Sequence, residues 1–266
     1  MLCLSVQFPK IASDKFVAGV ARYNVCFFPL CGTIVMPDLP ISLWLTITSI
    51  GSVGVMIPLA LAVAGWLALG YPWRYAVCWL VLLGSASGLV FVTKLAFMGW
   101  GIGVRDLDFT GISGHAMISS AVLPVALFVA CLPGRQWVRG LGVSLGVLIG
   151  IVVGVSRILL NAHSVSEVVT GCGLGAVTAL LFVAYAWRAE AGKLSPAPVA
   201  VSLAVVAVVL HGIPVPTQRW ITDIALQLSG REQPFIRARW KAGQYDKPVA
   251  KPARHIDVRF GGTTES

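Results

Sequence analysis

The chain has 266 residues, of which 57% are hydrophobic and 12% charged, and its formal net charge is +9. A mean hydropathy of +0.83 excludes an ordinary soluble globule. The positive charge does not indicate a nucleic-acid partner, because basic residues flank apolar runs and fill the C-terminal tail, and no nucleic-acid-binding module is recognisable. The six cysteines show neither CxxC pairs nor Cys/His metal spacing, so we predict no cofactor, no metal site and no disulfide framework.

Residues 1–40 precede the first convincing apolar run and are hard to assign. The stretch from Phe16 to Met36 is moderately apolar, but polar residues and Pro29 interrupt it. It lacks the succession of charged, apolar and cleavage regions that defines a signal peptide. We expect this segment to be membrane-associated or, if translation begins at Met36, absent from the protein.

Apolar runs of the length that spans a bilayer as a helix follow in close succession. Five strong spans are predicted at about 41–69, 73–98, 113–132, 140–160 and 164–187, and a shorter sixth run at about 196–211. The predicted fold class is therefore all-α, a polytopic transmembrane bundle of about six spans. It forms a domain over residues 41–211, and a basic tail occupies residues 212–266.

Glycines recur at four-residue spacing in three of the predicted spans. Such small-residue faces allow helix backbones to approach closely. We expect close packing at Gly142, Gly146, Gly150 and Gly154, at Gly84 and Gly88, and at Gly171 and Gly175.

The charges of the short loops predict an orientation. If the spans alternate, one membrane side holds Arg74, Arg135, Arg139, Arg188 and Lys193. The positive-inside rule makes that side cytoplasmic. A spanning sixth helix places the tail on the outer side, which we favour, and residues 220–228 are expected to form an amphipathic helix on the membrane surface.

The informative polar residues converge at the opposite membrane face. Lys94 ends the second span, Ser113-Gly114-His115 begins the third, Arg157 ends the fourth and His163 begins the fifth. Cations beside a helix N-terminus with free backbone N–H groups form an anion site. Two histidines supply a nucleophile and a proton donor, as covalent phosphoryl transfer requires.

Each of these residues also has a structural interpretation. Lys94 and Arg157 could be interfacial residues whose charges reach the membrane surface. Ser113 could serve only as an N-cap, and Ser164-x-x-Glu167 matches a capping box. The common membrane face and the order of the residues favour a functional site.

Ser113-Gly114-His115, followed by Ser156-Arg157 and then His163 and Glu167, resembles the type 2 phosphatidic acid phosphatase superfamily. The signature motifs of that family are KxxxxxxRP, PSGH and SRxxxxxHxxxD. The resemblance implies that His163 is the nucleophile that forms a phosphohistidine, that Glu167 orients it, and that His115 protonates the leaving group. It implies phosphate ligands at Lys94, Ser113, Gly114 and Arg157.

Three positions depart from the family pattern. Ile112 replaces the proline before Ser113, and Glu167 replaces aspartate with one added methylene. In the first motif Gly101 stands where arginine is expected, and Arg105 is the nearest arginine. We predict that Arg105 binds phosphate through a longer loop.

The resemblance implies an integral membrane phosphatase that hydrolyses a lipid phosphate or pyrophosphate without a metal. A bacterial inner membrane is expected, with the active site on the periplasmic face, membrane lipids as surroundings and no obligate protein partner. The alternatives are a phosphotransferase that uses the same histidine, or a non-catalytic lipid- or anion-binding or transport protein. Vanadate-dependent haloperoxidases share the motifs, but they are expected to be soluble, which this composition disfavours.

Overall fold

The structure, a computed structural model, describes residues 22–27, 30–35, 40–189, 196–209 and 216–245. A hairpin of strands β1 (Arg22–Phe27) and β2 (Leu30–Val35) pairs antiparallel, with Arg22 opposite Val35. Met36, Lys193 and His211 lie outside the described residues, so the predicted translation start is not tested.

The remaining elements are helical. They are α1 (Ile41–Ile50), α2 (Val53–Gly70), α3 (Trp73–Trp100), a 3-10 turn (Arg105–Leu107), α4 (Gly114–Cys131), α5 (Gln136–Leu159), α6 (Val165–Ala186), α7 (Pro196–Val209), α8 (Thr217–Ser229) and α9 (Arg237–Lys241). The predicted helical bundle is confirmed, because five helices of the described chain are long and apolar enough to cross a membrane, counting α1 and α2 as one. The predicted sixth run is α7, which has 14 residues.

Helix α4 lies at the centre of the bundle, and most of its side chains are buried. The glycine ridge of α5 packs against it: an added Cβ on Gly150 would lie 2.9 Å from the Cα of Ser120. Gly171 of α6 packs in the same way, and its added Cβ would lie 2.7 Å from the carbonyl oxygen of Ser113. Close backbone packing therefore joins α4 to α5 and α6, as predicted for these glycines.

The same expectation is wrong for Gly84 and Gly88 of α3. Nothing lies within 4 Å of a Cβ added at either position. The four-residue spacing is shared with α5, but spacing alone does not show which face of a helix meets a neighbour.

One end of the bundle holds the basic residues of the short loops. Arg74, Arg135, Arg139 and Arg188 lie at the starts of α3 and α5 and after the end of α6, and the Arg139 Nη1 donates to the Trp187 carbonyl oxygen at 2.9 Å. The other end holds the end of α3 and the start of α4, and it receives the segment 216–245, called here the C-terminal segment.

The C-terminal segment is not a detached tail. Ala225 of α8 and Trp240 of α9 are buried with Leu95, Phe97 and Met98 near the end of α3. The predicted sixth run, α7, lies between α6 and α8 in the chain, and α8 packs at the cavity end of the bundle. Five spans are found in the described chain without α7, so a sixth crossing stays a prediction. A helix is confirmed over the predicted residues as α8, which exposes Trp220, Ile224 and Leu228; its place on the membrane surface stays a prediction.

The glycine packing yields a stability prediction. Gly146→Ala places a methyl group on the Pro124 backbone, which cannot move aside as a side chain can. We expect a loss of about 1–3 kcal/mol, typical of overpacking, measured by thermal unfolding in detergent. Gly84→Ala is the matched control, since open space surrounds it; equal destabilisation by both variants would contradict the packing.

Candidate active site

A tight turn fixes Arg157 and His163 relative to one another. The backbone N–H groups of Ala162 and His163 donate to the Arg157 carbonyl oxygen at 3.0 and 3.3 Å. Asn161 makes this turn possible by adopting φ of 53°, a left-handed conformation that asparagine tolerates better than most residues. The number of residues between Arg157 and His163 is therefore the number that this turn at the end of α5 requires.

His163 and Glu167 form a hydrogen-bonded pair at the start of α6. The His163 Nδ1 lies 2.7 Å from the Glu167 Oε2, and the Glu167 side chain is fully buried. Glu167 also completes a capping box: the Ser164 N–H donates to its Oε2 at 3.3 Å, and the Ser164 Oγ accepts from the Glu167 N–H at 3.4 Å. Glu167 thus caps the helix and holds the histidine, so both interpretations of this residue apply.

Two further groups bind the same carboxylate. Thr110, in the loop after the 3-10 turn, donates to the Glu167 Oε1 from its backbone N–H at 2.8 Å and from its hydroxyl at 2.5 Å. The Arg237 guanidinium of α9 forms an ion pair with Oε2. Because each carboxylate oxygen accepts from several donors, the charge is stabilised although it is buried.

The His163–Glu167 pair borders a cavity of about 840 Å³ at this end of the bundle. Its polar end is lined by Lys94, Thr110, Gly114, His115, Arg157, Asn161, His163 and Arg237. The structure therefore brings together five of the predicted site residues, Lys94, Gly114, His115, Arg157 and His163, with Glu167 directly behind His163.

The start of α4 lies beside Lys94 at the edge of the cavity. A Cβ added to Gly114 would lie 3.9 Å from the Lys94 Nζ, so glycine keeps the backbone open in front of the ammonium group. The backbone N–H of Ser113 was expected to be free, but it donates to the Glu167 carbonyl oxygen at 3.0 Å. Ser113 is the N-cap residue of α4, yet within the described chain its buried hydroxyl has no hydrogen-bond partner.

Arg157 is held from the side by α1. Its Nη1 donates to the Thr48 hydroxyl at 3.0 Å, and its buried Nε has no partner in the described part of the chain. Lys94 and Arg157 are both predicted phosphate ligands, and they supply positive charge next to His163.

Arg105 is not among the residues that line the cavity. Its guanidinium instead lies 5.3 Å from the centre of the Trp240 ring in α9, a cation–π contact. The phosphate-binding role predicted for Arg105 therefore lacks support from its position.

The contacts of His163 fix the form of its imidazole. A carboxylate only accepts hydrogen bonds, so the neutral ring carries its proton on Nδ1 and leaves the lone pair on Nε2. Burial lowers the pKa of His163; Glu167 opposes this shift, and the charges of Lys94 and Arg157 add to it. The net effect is a pKa below the usual value, which favours the neutral ring that a nucleophile needs.

Three residues of the site were not predicted from the sequence: Thr48, Thr110 and Arg237. The two threonines are ordinary residues of an apolar helix and a loop. Arg237 lies in a segment with many basic residues, and only its contact with Glu167, distant in sequence, distinguishes it.

Comparisons with known proteins identify a family. The family model of the PAP2 superfamily matches residues 48–191. A Klebsiella pneumoniae protein described as an uncharacterized 22.5 kDa protein in the cps region is 37% identical over 199 residues, which are 73% of this chain and 95% of that protein. The crystal structure of a transmembrane PAP2-type phosphatidylglycerolphosphate phosphatase from Bacillus subtilis is 23% identical, with a TM-score of 0.46 over 58% of this chain and 80% of its own.

The family match covers more than half of the sequence and contains the second and third motifs. The chain belongs to the PAP2 superfamily, which confirms the family that the motifs resemble. Membership of this family supports a lipid phosphatase, and the apolar helices make it an integral membrane protein.

The pKa of His163 can be tested directly. We expect it to titrate with a midpoint below about 6.5, the value of an unperturbed histidine, because burial penalises the charged ring. NMR of the protein with ¹⁵N-labelled histidine in detergent would measure the midpoint, and His163→Gln would assign the signal. A midpoint at or above 6.5 would contradict the buried, neutral nucleophile.

Proposed function

We propose that the protein hydrolyses a lipid phosphate or pyrophosphate through a phosphohistidine on His163, without a metal ion. One observation carries the proposal. His163, with its Nδ1 held by a buried carboxylate, borders the same cavity as Lys94, Arg157, His115 and the N-terminus of α4. Cations and helix N–H groups stabilise the charge on a transferring phosphoryl group.

The reaction would proceed in two displacements. The Nε2 lone pair of His163 attacks phosphorus, a P–N bond forms, and the P–O bond to the lipid breaks. The leaving oxygen keeps the electron pair and takes a proton from protonated His115. Water then gives a proton to His115 and attacks phosphorus, the P–N electrons return to Nε2, and inorganic phosphate leaves.

Glu167 would act through His163 in both steps. It keeps the Nδ1 proton in place while the ring carries the phosphoryl group, and it balances the positive charge that the ring gains. Its added methylene compared with aspartate does not prevent the contact, since the pair lies at 2.7 Å.

The apolar part of the cavity supports a lipid substrate. It is lined by Val53 and Ile57 of α2, Ser87, Val90 and Phe91 of α3, and Met117 and Ile118 of α4. Ser87 and Lys94 lie on α3 about 10 Å apart along its axis, at 1.5 Å per residue. A phosphate at Lys94 would thus leave room for the first part of a hydrocarbon chain among the membrane-spanning helices.

We place the site at the outer face of a bacterial inner membrane. Arg74, Arg135, Arg139 and Arg188 lie at the end of the bundle away from the cavity, and the positive-inside rule assigns that end to the cytoplasm.

Loss of the nucleophile tests the reaction. His163→Ala should abolish phosphate release while the protein stays folded in detergent, and orthovanadate should inhibit the wild type as a mimic of the pentacoordinate transition state. The assay would use a panel of polyprenyl pyrophosphate, phosphatidylglycerophosphate and phosphatidic acid, with and without chelator. Full activity of the variant would rule out the phosphohistidine, and a phosphorylated acceptor in place of phosphate would indicate a phosphotransferase.

Binding of the lipid chain in the apolar part of the cavity is tested by filling that part with a larger side chain. Ile57→Trp should raise KM for long-chain substrates several-fold, because the larger ring enters the apolar part of the cavity. It should leave hydrolysis of a short soluble ester such as p-nitrophenyl phosphate nearly unchanged. Leu61→Trp is the matched control, since this residue lies one turn further along α2, is 57% exposed and does not line the cavity. Equal effects of Ile57→Trp on both substrates would contradict binding of the lipid chain in the apolar part of the cavity.

A further inference from the structure

The C-terminal segment closes over the cavity end of the bundle. Thr217, Gln218, Ile221 and Thr222 of α8 line the cavity, as do the four residues Pro234 to Arg237. The Phe235 N–H donates to the Met98 carbonyl oxygen at 2.9 Å, which fastens the segment to the end of α3. A part of the chain outside the matched family region thus forms one wall of the site.

The end of α3 is shaped to receive this segment. Gly101 ends the helix with φ of +71°, a conformation that disfavours residues with a side chain. A Cβ at Gly101 would lie 2.7 Å from the Phe235 ring. Gly101 is the position at which the first motif has arginine, and a side chain there would strain the backbone and displace the Phe235 ring.

Arg237 enters the site two residues after Phe235. Its Nη2 forms the ion pair with Glu167 and donates to the Thr110 hydroxyl at 3.0 Å. Both contacts use the same nitrogen, which leaves Nη1 and Nε without a partner among the described residues. The side chain is 29% exposed and lines the cavity, so these two donors can reach a bound anion.

We propose that Arg237 is a phosphate-binding residue of this enzyme, which holds Glu167 with Nη2 and donates from Nη1 or Nε to the phosphoryl oxygens. The inference rests on the proposed function. It assigns to the C-terminal segment the arginine that the first motif lacks. Arginine suits this bridging role because its planar fork presents five donors, whereas lysine offers one point charge.

The charges around the cavity agree with such a role. The charged or titratable groups that face it are Lys94 from α3, His115 from α4, Arg157 from α5, His163 before α6 and Arg237 from α9, with Glu167 behind His163. The Glu167 carboxylate is already paired with Arg237 and hydrogen-bonded to His163. Arg237 therefore satisfies the carboxylate and still adds donors where the phosphoryl group would lie.

The test compares three variants of the full chain in detergent. Arg237→Gln removes the charge but keeps a donor for Thr110, and we expect kcat/KM to fall by about 100-fold, as for loss of one transition-state donor. Arg237→Lys keeps a charge opposite Glu167 but lacks the planar fork that presents separate nitrogens to Glu167 and the phosphoryl group, and its kcat/KM should fall by about 10-fold. Arg239→Gln, an exposed arginine of the same helix, is the control and should behave as wild type.

Binding of orthovanadate, followed by its shift of the thermal unfolding midpoint, provides a second measurement that does not depend on turnover. The shift should shrink in Arg237→Gln and Arg237→Lys and persist in Arg239→Gln. Wild-type kcat/KM and vanadate binding in Arg237→Gln would overturn the proposal. Should that variant not fold, the same result in Arg237→Lys would overturn it.

The two proposals fail in different ways. If the wild type releases no phosphate from any lipid of the panel, the proposed function fails, and vanadate binding alone decides on Arg237. If the wild type is active and Arg237→Gln is equally active, only the role of Arg237 fails.

Discussion

The buried Glu167 carboxylate is the group on which the rest of the site depends. A charge without exposure to water is costly unless donors surround it. Here the donors come from four parts of the chain: the α6 N-cap, His163, Thr110 and Arg237 of the C-terminal segment. Satisfying one carboxylate therefore fixes a helix start, a histidine, a loop and a distant segment at the same time.

Close backbone packing places the two histidines in the same cavity. The Ser113 N–H bonds to the Glu167 carbonyl oxygen at 3.0 Å, and Gly171 lets α6 approach the Ser113 carbonyl oxygen. A larger residue at Gly171 would separate the start of α4, which carries His115, from the start of α6, which follows His163. The glycines of the bundle interior thus set distances in the site at its end.

Local patterns allowed the spans, the capping box and five of the cavity residues to be predicted. Apolar runs define helices in lipid, and the helix ends then place Lys94, His115 and Arg157 at one face. The contact between the Arg105 guanidinium and the Trp240 ring could not be predicted, because the two residues lie far apart in sequence. Arg237 was missed because its partner Glu167 lies far away in sequence, and an arginine in a basic tail carries no signal of its own.

The position of the C-terminal segment has a consequence for biosynthesis. The segment follows α7 in the chain, so its ion pair with Glu167 cannot form until Arg237 of α9 has been synthesised. A nascent chain that ends before α8 already contains His163 and Glu167 but leaves that carboxylate without its guanidinium. Completion of the site is thereby coupled to synthesis of the C-terminal segment.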